Sequence, residues 1–401
     1  MRVLAYHASR DLVPLYGAYA LLFADHGLSA GEISSLLVLW SLTSFACEVP
    51  SGAWADTIDR RRLLVLSSVV LAAAFASWTL RPTYAGFALG FVLWGVSSAL
   101  ESGTFESLLY DELRLRGRTP AYPRLIGRAR ALALVAVLVA DGLAVPLLHV
   151  GGYGLLGLAS VVAALLHGVL AAILPVRPEA RRPTHTDEPR GGRYLAMLGT
   201  GLRESARVPA VRRALLVASV LVGLTAYDEY FPLVARDHGV PTASVPVLIA
   251  VTTLAQAVGT ALAGRTPMSG RALGLTVAAG AVLVSLGAAG GPAIPAAYAG
   301  FVPIALGYGL LNNAMIVAET RLQDRISGPA RATVTSVLGV GEEATALVVY
   351  ASVGLGSTLV PVTVAVALVG VPVAAGALVA AAAYRTRGVR AGISATGERR
   401  L

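Results

Sequence analysis

Residues 48–64 read "EVPSGAWADTIDRRRLL" and close a long apolar run. The stretch begins with an acid beside a proline and continues through Gly52 and Asp56 into three consecutive arginines. A soluble helix rarely ends a fully apolar run in a block of opposite charges, whereas a helix that leaves a bilayer meets polar headgroups and water at that point. The stretch therefore predicts the end of a membrane span, and Glu48 inside the apolar run needs its own explanation.

The composition extends this interpretation to the whole chain. Of 401 residues, 56% are hydrophobic and 14% are charged, whereas about a quarter of residues are charged in an ordinary soluble domain. Apolar runs of about 17 to 25 residues, the length that crosses a bilayer, recur with short polar breaks. The sequence predicts an all-α membrane protein with twelve transmembrane helices, at residues 12–28, 31–55, 63–80, 84–109, 130–148, 153–174, 213–235, 243–263, 272–289, 296–318, 332–356 and 360–383.

The arginines predict the orientation of these helices. All 32 basic residues are arginine, and the net charge is +9. Connections on one side of the predicted membrane hold only Arg81 and Arg236, while the other side holds both termini and the remaining arginine clusters. Because basic loops stay on the cytoplasmic side, both termini are predicted to be cytoplasmic, in a multi-pass protein of the inner (cytoplasmic) membrane. The charge thus reflects topology, and no stretch is typical of a nucleic-acid-binding module.

The chain also divides into two similar halves. Residues 176–210, rich in proline and arginine, separate a first set of six helices at 1–175 from a second set at 211–401. The halves match at a constant offset of 212 residues, and the matched pairs include Asp25 with Asp237, Gly52 with Gly264, Gly95 with Gly307, Gly127 with Gly339, Gly142 with Gly354, Glu101 with Asn313 and Glu112 with Asp324. A repeat of six helices in the same direction predicts two bundles with a substrate path between them near the midplane.

The loop after the second span carries a recognisable motif. It resembles the helix 2 to helix 3 signature of the major facilitator superfamily, and the matching residues are Gly52, Asp56, Arg60 and Arg61. Thr57 and Asp59 depart from that pattern. The frame "EVPSGAWAD", together with "LYDEL" at residues 109–113, is similar to a bacterial branch of drug and metabolite exporters. The resemblance implies a twelve-helix carrier that works by alternating access and exports its substrate.

The same resemblance implies a role for the charges of the motif. Asp56 would face the eleventh helix, and Arg60 or Arg61 would pair with an acid that closes the fourth helix. Asp111 is the preferred partner and Glu112 the alternative. Such a cluster would hold the bundles together in the outward-facing state and release them in the inward-facing state. The competing interpretation is that the arginines only set the topology.

Acidic residues lie inside the predicted spans, and a central charge there costs about 2.5 to 3.5 kcal/mol even on the lenient insertion scale. No arginine falls near the middle of a span, so these acids cannot all be neutralised by buried bases. Burial disfavours the charged form of a carboxyl, which makes the acids candidates for carrying protons. They are Glu342, Glu343, Asp141, Asp228, Glu48, Glu101 and Glu106.

Depth in the membrane orders these candidates. Glu342 and Glu343 lie ten or eleven residues into their span, roughly 15 Å deep in a core of about 30 Å, which is the midplane. Asp141 and Asp228 follow, and the other three acids come last. For the two acids nearest the cytoplasmic end of their spans, Glu48 and Glu106, a structural hydrogen-bonding role is an equal alternative.

Aromatic and uncharged polar residues in the spans are candidates for the substrate cavity. Aromatic rings attract cations through their π faces, although single aromatics in helices more often pack against neighbours. Amide side chains can bind a substrate or join helices. The candidates are Tyr16, Tyr19, Trp40, Tyr227, Tyr230, Tyr308, Gln256, Asn312 and Asn313.

The residues present also limit the function. The sequence has no GxxxxGK[ST] phosphate loop, no paired catalytic groups and a single cysteine, Cys47, so an enzyme, a cofactor or a bound metal is not expected. The predicted function is proton-coupled efflux, by antiport, of small amphipathic or cationic compounds by a monomer in the lipid bilayer. Its partners are the substrate and protons. Two alternatives stay open, a proton-coupled uptake symporter for a neutral solute and a non-transporting receptor on a transporter scaffold.

Overall fold

The structure is a computed structural model that describes residues 2–174, 203, 208–266, 268–290, 294–326 and 331–397. The side chains of residues 48–57, 294–297, 331–333, 336 and 383–397 lie outside this description. The regular structure of the described residues is helical throughout. The α-helices are α1 Arg2–Ser9, α2 Tyr19–Asp25, α3 Ala30–Thr57, α4 Arg60–Leu80, α5 Tyr84–Glu101, α6 Thr104–Leu115, α7 Tyr122–Ala172, α8 Pro209–Gly223, α9 Phe231–Asp237, α10 Val245–Leu262, α11 Gly270–Ala288, α12 Ile294–Arg325, α13 Arg331–Gly356 and α14 Val362–Gly397.

The first predicted span, 12–28, is not one continuous helix. Turns occupy the chain between α1 and α2, and only Tyr19–Asp25 of the predicted span is α-helical. Pro14 has no N–H for a helical hydrogen bond and disfavours helical backbone in the residue before it. The next amide, Leu15 N–H, donates instead to Ser160 Oγ at 3.0 Å. The prediction of an unbroken first helix was therefore wrong, and the break is held by a side chain of α7.

The second half breaks at the corresponding place. Residues Leu224–Tyr230 form a 3-10 helix between α8 and α9, and the offset of 212 relates this segment to residues 12–18, the broken part of the first half. Discontinuous helices at matching positions of two repeats mark the binding region in many transporters. The structure thus shows that a broken helix is also part of the repeat, which the matched residues of the sequence did not indicate.

Helix α7 is long and kinked. It covers 51 residues, with non-helical backbone at Gly151 and Gly152, and the positive φ of Gly152 (56°) suits a residue without a Cβ. At 1.5 Å per residue the helical pieces on either side of these glycines, 122–150 and 153–172, are about 44 Å and about 30 Å long, so each is long enough to cross the hydrocarbon core. The kink falls between the predicted spans 130–148 and 153–174, and α7 covers the first span and all but the last two residues of the second.

Ten segments of the described residues are long and apolar enough to cross a membrane, with the whole of Thr119–Ala172 as one of them. The count of twelve helices stays a prediction. The fourth predicted span, 84–109, also departs from expectation, because α5 ends at Glu101 and α6 begins at Thr104 after Gly103, whose φ is +68°. Its repeat counterpart lies within the unbroken α12.

The chain forms two compact units, each with its own internal contacts. The first contains Met1–Thr200 together with Pro241–Ala250, and the second contains Gly201–Val240 together with Val251–Leu401. The predicted boundaries at 175 and 211 remain a prediction, since most of the linker 176–210 lies outside the described residues. Large side chains in the first core include Trp78, Phe87 and Phe91, and those in the second include Tyr227, Tyr230 and Phe301.

The topology can be tested with a reporter that is active only in the cytoplasm. We expect activity when it is fused after residue 190 and none when it is fused after residue 240, because the arginine distribution puts the central linker inside and the next connection outside. Activity at 240, or silence at 190, would contradict the predicted orientation.

Candidate functional site

A buried carboxyl lies against the broken segment of the first half. Asp141, on α7, is 1% exposed. A Cβ placed on Gly17, in the turn before α2, would lie 2.5 Å from Asp141 Oδ1, which is closer than real Cβ contacts allow. Only glycine therefore permits this approach of backbone and acid. The second oxygen, Asp141 Oδ2, is buried and has no hydrogen-bond partner within the described residues.

Aromatic rings gather next to this turn. Tyr16 stacks on Trp94 of α5 with ring centroids 5.1 Å apart, and Trp40 of α3 lies 5.2 Å from the same Trp94 ring. All three side chains are only partly buried. Trp40 Nε1 is a buried donor without a partner in the described part of the chain. Together they form an aromatic wall, defined here as Tyr16, Trp40 and Trp94, beside the Tyr16–Gly17 turn.

Sequence reasoning missed Trp94, and close helix packing explains its position. A Cβ on the neighbouring Gly95 would lie 2.9 Å from Thr43 Cβ, so α5 and α3 approach closely there and bring the two tryptophans together. The sequence did contain one indication of this contact, because Gly95 is a small residue that allows close helix packing and it directly follows Trp94 inside a predicted span. Tyr19, by contrast, is 4% exposed and packs among Phe23, Trp78 and Phe91.

Among the predicted proton-coupling acids, Glu101 pairs with an arginine in the structure. Arg10, just after α1, places its guanidinium 3.1 Å from Glu101 Oε2, and Tyr6 OH donates to Glu101 Oε1 at 3.2 Å. The sequence predicts that buried bases cannot neutralise all of these acids; Glu101 is one that has a base, because α1 packs against α7 and Arg10 reaches the end of α5. Glu101 is 4% exposed and the Arg10 side chain is 29% exposed, so the acid of this ion pair is buried and its base is partly buried.

His167 of α7 completes this cluster. Ser9 Oγ donates to Tyr6 O at 2.7 Å and lies 2.8 Å from His167 Nδ1. Since the hydroxyl has one proton, His167 Nδ1 acts as the donor to Ser9 in this arrangement. His167 Nε2 then faces Glu101 Oε1 at 3.7 Å. Sequence reasoning treated the histidines as scattered, and nothing in their spacing indicated this contact.

The loop motif forms the expected ion pair. Arg60, which is buried, donates to Asp111 Oδ2 at 2.6 Å, and Arg114 lies 3.2 Å from Asp111 Oδ1. Glu112 instead pairs with Arg116 in the next turn of chain. Of the two alternatives left open by the sequence, Asp111 is thus the partner of Arg60 in the structure.

The other motif residues are only partly described. Arg61 donates a hydrogen bond to the backbone oxygen of Leu174, at the end of the first half. Gly52, Asp56 and Glu48 lie on α3, and their side chains fall outside the description.

In the second unit Asp228 lies in the broken segment. Tyr308 of α12 is 2% exposed, and its hydroxyl lies 2.7 Å from Asp228 Oδ2 and 3.3 Å from Thr225 O. The hydroxyl has one proton to donate, and the charge-assisted bond to a carboxylate is the stronger of the two. Asp228 therefore has a hydroxyl partner, which distinguishes it from Asp141.

The predicted amides form a hydrogen-bonded set behind Tyr308. Asn312 Nδ2 donates to Tyr308 O at 3.0 Å, and Gln256 Nε2 donates to Asn312 Oδ1 at 3.3 Å. Asn313 Nδ2 donates to Gly259 O at 2.8 Å. Both asparagines are buried, so in this conformation these amides join α10 to α12.

The remaining predicted residues are distributed over the two units. Tyr227 and Tyr230 are fully buried in the second core. Glu342 and Glu343 are partly buried on α13, where the backbone oxygen of Glu342 packs against Gly223 of α8. Glu106 is partly buried near the start of α6. Among the described residues, no group of three His, Cys, Asp or Glu side chains is arranged to hold a metal ion.

Comparison with known proteins agrees with this architecture. The family model described as Major Facilitator Superfamily matches residues 5–348. A mutant form of the nucleoside transporter NupG superposes with a TM-score of 0.73 at 11% identity, covering 96% of this chain and 99% of that one. The POT family transporter PepTSo superposes with a TM-score of 0.66 at 13% identity, covering 98% of both chains.

A bacterial homologue of the human lysosomal transporter Spinster, in an inward-facing and unoccupied conformation, gives a TM-score of 0.64 at 16% identity over 95% of this chain and 94% of that one. A sequence search of curated proteins finds no match. The solved relatives share the fold alone at these identities, while the family model covers most of the chain. This protein belongs to the Major Facilitator Superfamily and is a multi-pass membrane transporter, not an enzyme.

Proposed function

We propose that the protein is a secondary active transporter that exports small amphipathic or cationic compounds in exchange for protons, by alternating access. The observation that carries the proposal is Asp141, a carboxyl buried against the break of the first helix, with one oxygen that lacks a hydrogen-bond partner among the described residues.

An unpaired charge is costly to bury. Asp141 is therefore expected to carry a proton when its site is closed and empty, and to ionise when a cation or water reaches it. A group that alternates between a proton and a cationic ligand makes their binding mutually exclusive, and mutual exclusion is what couples export of one to import of the other. Asp141 is thus the proposed exchange site.

The aromatic wall supports a cationic or amphipathic substrate. Tyr16, Trp40 and Trp94 are partly buried rings, and Tyr16 is joined directly to Gly17, the residue in contact with Asp141. Rings of this kind attract an ammonium group through their π faces and pack against an apolar body. An anionic substrate would instead favour a basic residue at this position.

The remaining acids are retained as secondary candidates for proton coupling. Asp228 occupies the corresponding broken segment of the second unit but is bonded to Tyr308. Glu342 and Glu343, on α13, remain candidates because of the midplane depth that the sequence predicts for them. Glu48 and Glu106 retain a structural alternative. Glu101 is assigned a structural role on account of its pairing with Arg10.

The pair of Arg60 and Asp111 is proposed to serve the conformational cycle, together with Gly52, Asp56 and Arg61, because it lies at the end of the helices and away from Asp141. We expect Arg60→Gln and Asp111→Asn each to lower the transport rate by on the order of tenfold, equivalent to about 1.4 kcal/mol in the barrier. Substrate affinity, measured by binding to the purified protein, should stay unchanged.

Two further variants make this prediction specific. Arg62 is exposed beside the pair, and Arg62→Gln should transport normally. Exchange of the two charges, Arg60→Asp with Asp111→Arg, should restore only part of the rate, because Arg114 would then face an arginine. Equal losses in Arg60→Gln and Arg62→Gln would reduce the motif to a topology signal.

The function itself is tested in inverted vesicles prepared from the cytoplasmic membrane, where the protein is proposed to lie. A panel of cationic, neutral and anionic amphipathic compounds is offered with and without an uncoupler. We expect accumulation of cationic compounds that the uncoupler abolishes. Uptake of a neutral solute in right-side-out vesicles only would favour the symporter alternative, and binding without flux would favour a receptor.

A further inference from the structure

The second unit contains a groove that none of the transport residues line. It lies between α8, α11, α12 and α14 and has a volume of about 700 Å³. Three arginines, Arg213, Arg321 and Arg325, stand at one end, near the start of α8 and the end of α12. The predicted topology makes this the cytoplasmic end. The other lining residues are apolar or small.

The three guanidinium groups donate hydrogen bonds to backbone carbonyls. Arg213 donates to Pro209 O at 3.1 Å and Arg325 to Arg321 O at 3.3 Å, each within its own helix. Arg321 donates to Met268 O. All three acceptors are backbone carbonyls, and within the part of the chain that the structure describes none of the three arginines forms an ion pair. Their positive charge is therefore concentrated at the mouth of the groove.

Below the arginines the groove is apolar and open at its side. Leu216 is 59% exposed and Val220 is 43% exposed, in a helix segment that is apolar enough to cross the membrane. From Arg213 to Leu221 the wall descends about 12 Å at 1.5 Å per residue. A Cβ on Gly376 would meet no atom within 4 Å, so the groove has free space at its wall.

We propose that this groove binds one anionic phospholipid, with its phosphate-bearing headgroup at Arg213, Arg321 and Arg325 and an acyl chain along the apolar wall. Basic pockets between membrane helices attract anionic headgroups in this way. The arrangement matches the two parts of such a lipid, a charged head at the membrane surface and a tail of hydrocarbon below it. A cationic substrate would be repelled by the same arginines, so this site is separate from the proposed transport site.

The first test measures lipid binding to the delipidated full chain by native mass spectrometry. Phosphatidylglycerol and phosphatidylcholine with the same acyl chains are titrated in parallel. Wild type should prefer phosphatidylglycerol, and Arg213→Gln with Arg325→Gln should weaken its binding by about 30-fold, since each basic residue contributes about fivefold. Arg212→Gln, one residue away on α8 and outside the groove, should bind like wild type.

The second test separates a lipid from a soluble anion. Gly376→Phe should fill the groove and abolish phosphatidylglycerol binding, while Gly127→Phe, at an equally open glycine of the first unit, should not. Excess inorganic phosphate should fail to displace the lipid. Equal affinity for the two lipids, equal losses in the Arg212 and Arg213/Arg325 variants, full binding in Gly376→Phe, or displacement by phosphate would each overturn the proposal.

Discussion

Replacing Asp141 with Asn is expected to reduce proton-driven transport to the level of vesicles that lack the protein. Asparagine keeps the size of the side chain but cannot release a proton or balance a cation. In wild type, protons and a cationic substrate compete for one carboxyl, so substrate binding should weaken as the pH falls. In Asp141→Asn that pH dependence should disappear, together with most of the affinity for the cationic part of the substrate.

The measurements are uncoupler-sensitive flux and substrate binding across a pH series. The matched control is Asp324→Asn, the same chemical change at an exposed site on α12, which should leave both unchanged. Gly17→Ala should impair transport as well, because its Cβ would lie 2.5 Å from Asp141 Oδ1. Its control is Gly142→Ala, which should transport normally because a Cβ at Gly142 meets no atom within 4 Å. An Asp141→Asn protein with wild-type flux and pH profile would move the exchange site to Asp228, Glu342 or Glu343.

Much of the fold follows from simple features of the sequence. Apolar runs of the right length predict helices because the bilayer leaves no other way to satisfy the backbone, and α3, α4, α11 and α13 lie where such runs were found. The break in the first helix was harder to predict. Pro14 indicated a weak point, but the bond from Leu15 N–H to Ser160 Oγ that holds the broken backbone comes from a distant helix.

The site was less predictable than the fold, because it depends on how helices are rotated. Adjacent residues point about 100° apart on a helix, so the sequence left Glu112 open as an alternative to Asp111, the preferred partner of the motif arginine. Trp94 belongs to the aromatic wall because α3 and α5 approach closely at Gly95. The Arg60–Asp111 pair and the position of Trp94 both depend on how two segments pack against each other. The residue pattern of one segment does not contain that information.

Arg10 is the clearest case of a contact that could not be predicted from the sequence, namely its ion pair with Glu101. It lies before the first predicted span, so it is not among the bases inside the spans. The turn after α1 nevertheless brings it to the buried Glu101, with Tyr6 and His167 beside it. Glu101, which the sequence places among the candidates for carrying protons, is the acid at the centre of this polar cluster.

This cluster leads to the second large effect. Glu101→Gln removes the carboxylate that pairs with Arg10, and Arg10→Met leaves the buried Glu101 carboxylate without that guanidinium. Breaking a fully buried pair by removing one partner costs about 3 to 5 kcal/mol, and because the Arg10 side chain is 29% exposed we expect a loss of about 3 kcal/mol here. For a unit of this size, that corresponds to a fall in the midpoint of thermal unfolding on the order of 10 °C.

The double variant tests whether loss of the ion pair causes the lower midpoint of thermal unfolding. Arg10→Met with Glu101→Gln removes both charges and leaves neither buried alone, so its midpoint should lie above that of either single variant, since replacing a buried pair is often neutral. The measurement is a double-mutant cycle of thermal unfolding in one detergent. Arg114→Met, which removes an exposed arginine from Asp111, serves as the control and should shift the midpoint little, because exposed pairs contribute about 0 to 1 kcal/mol. If the two losses simply add, Arg10 and Glu101 do not act as a pair, and Glu101 returns to the candidates for proton coupling.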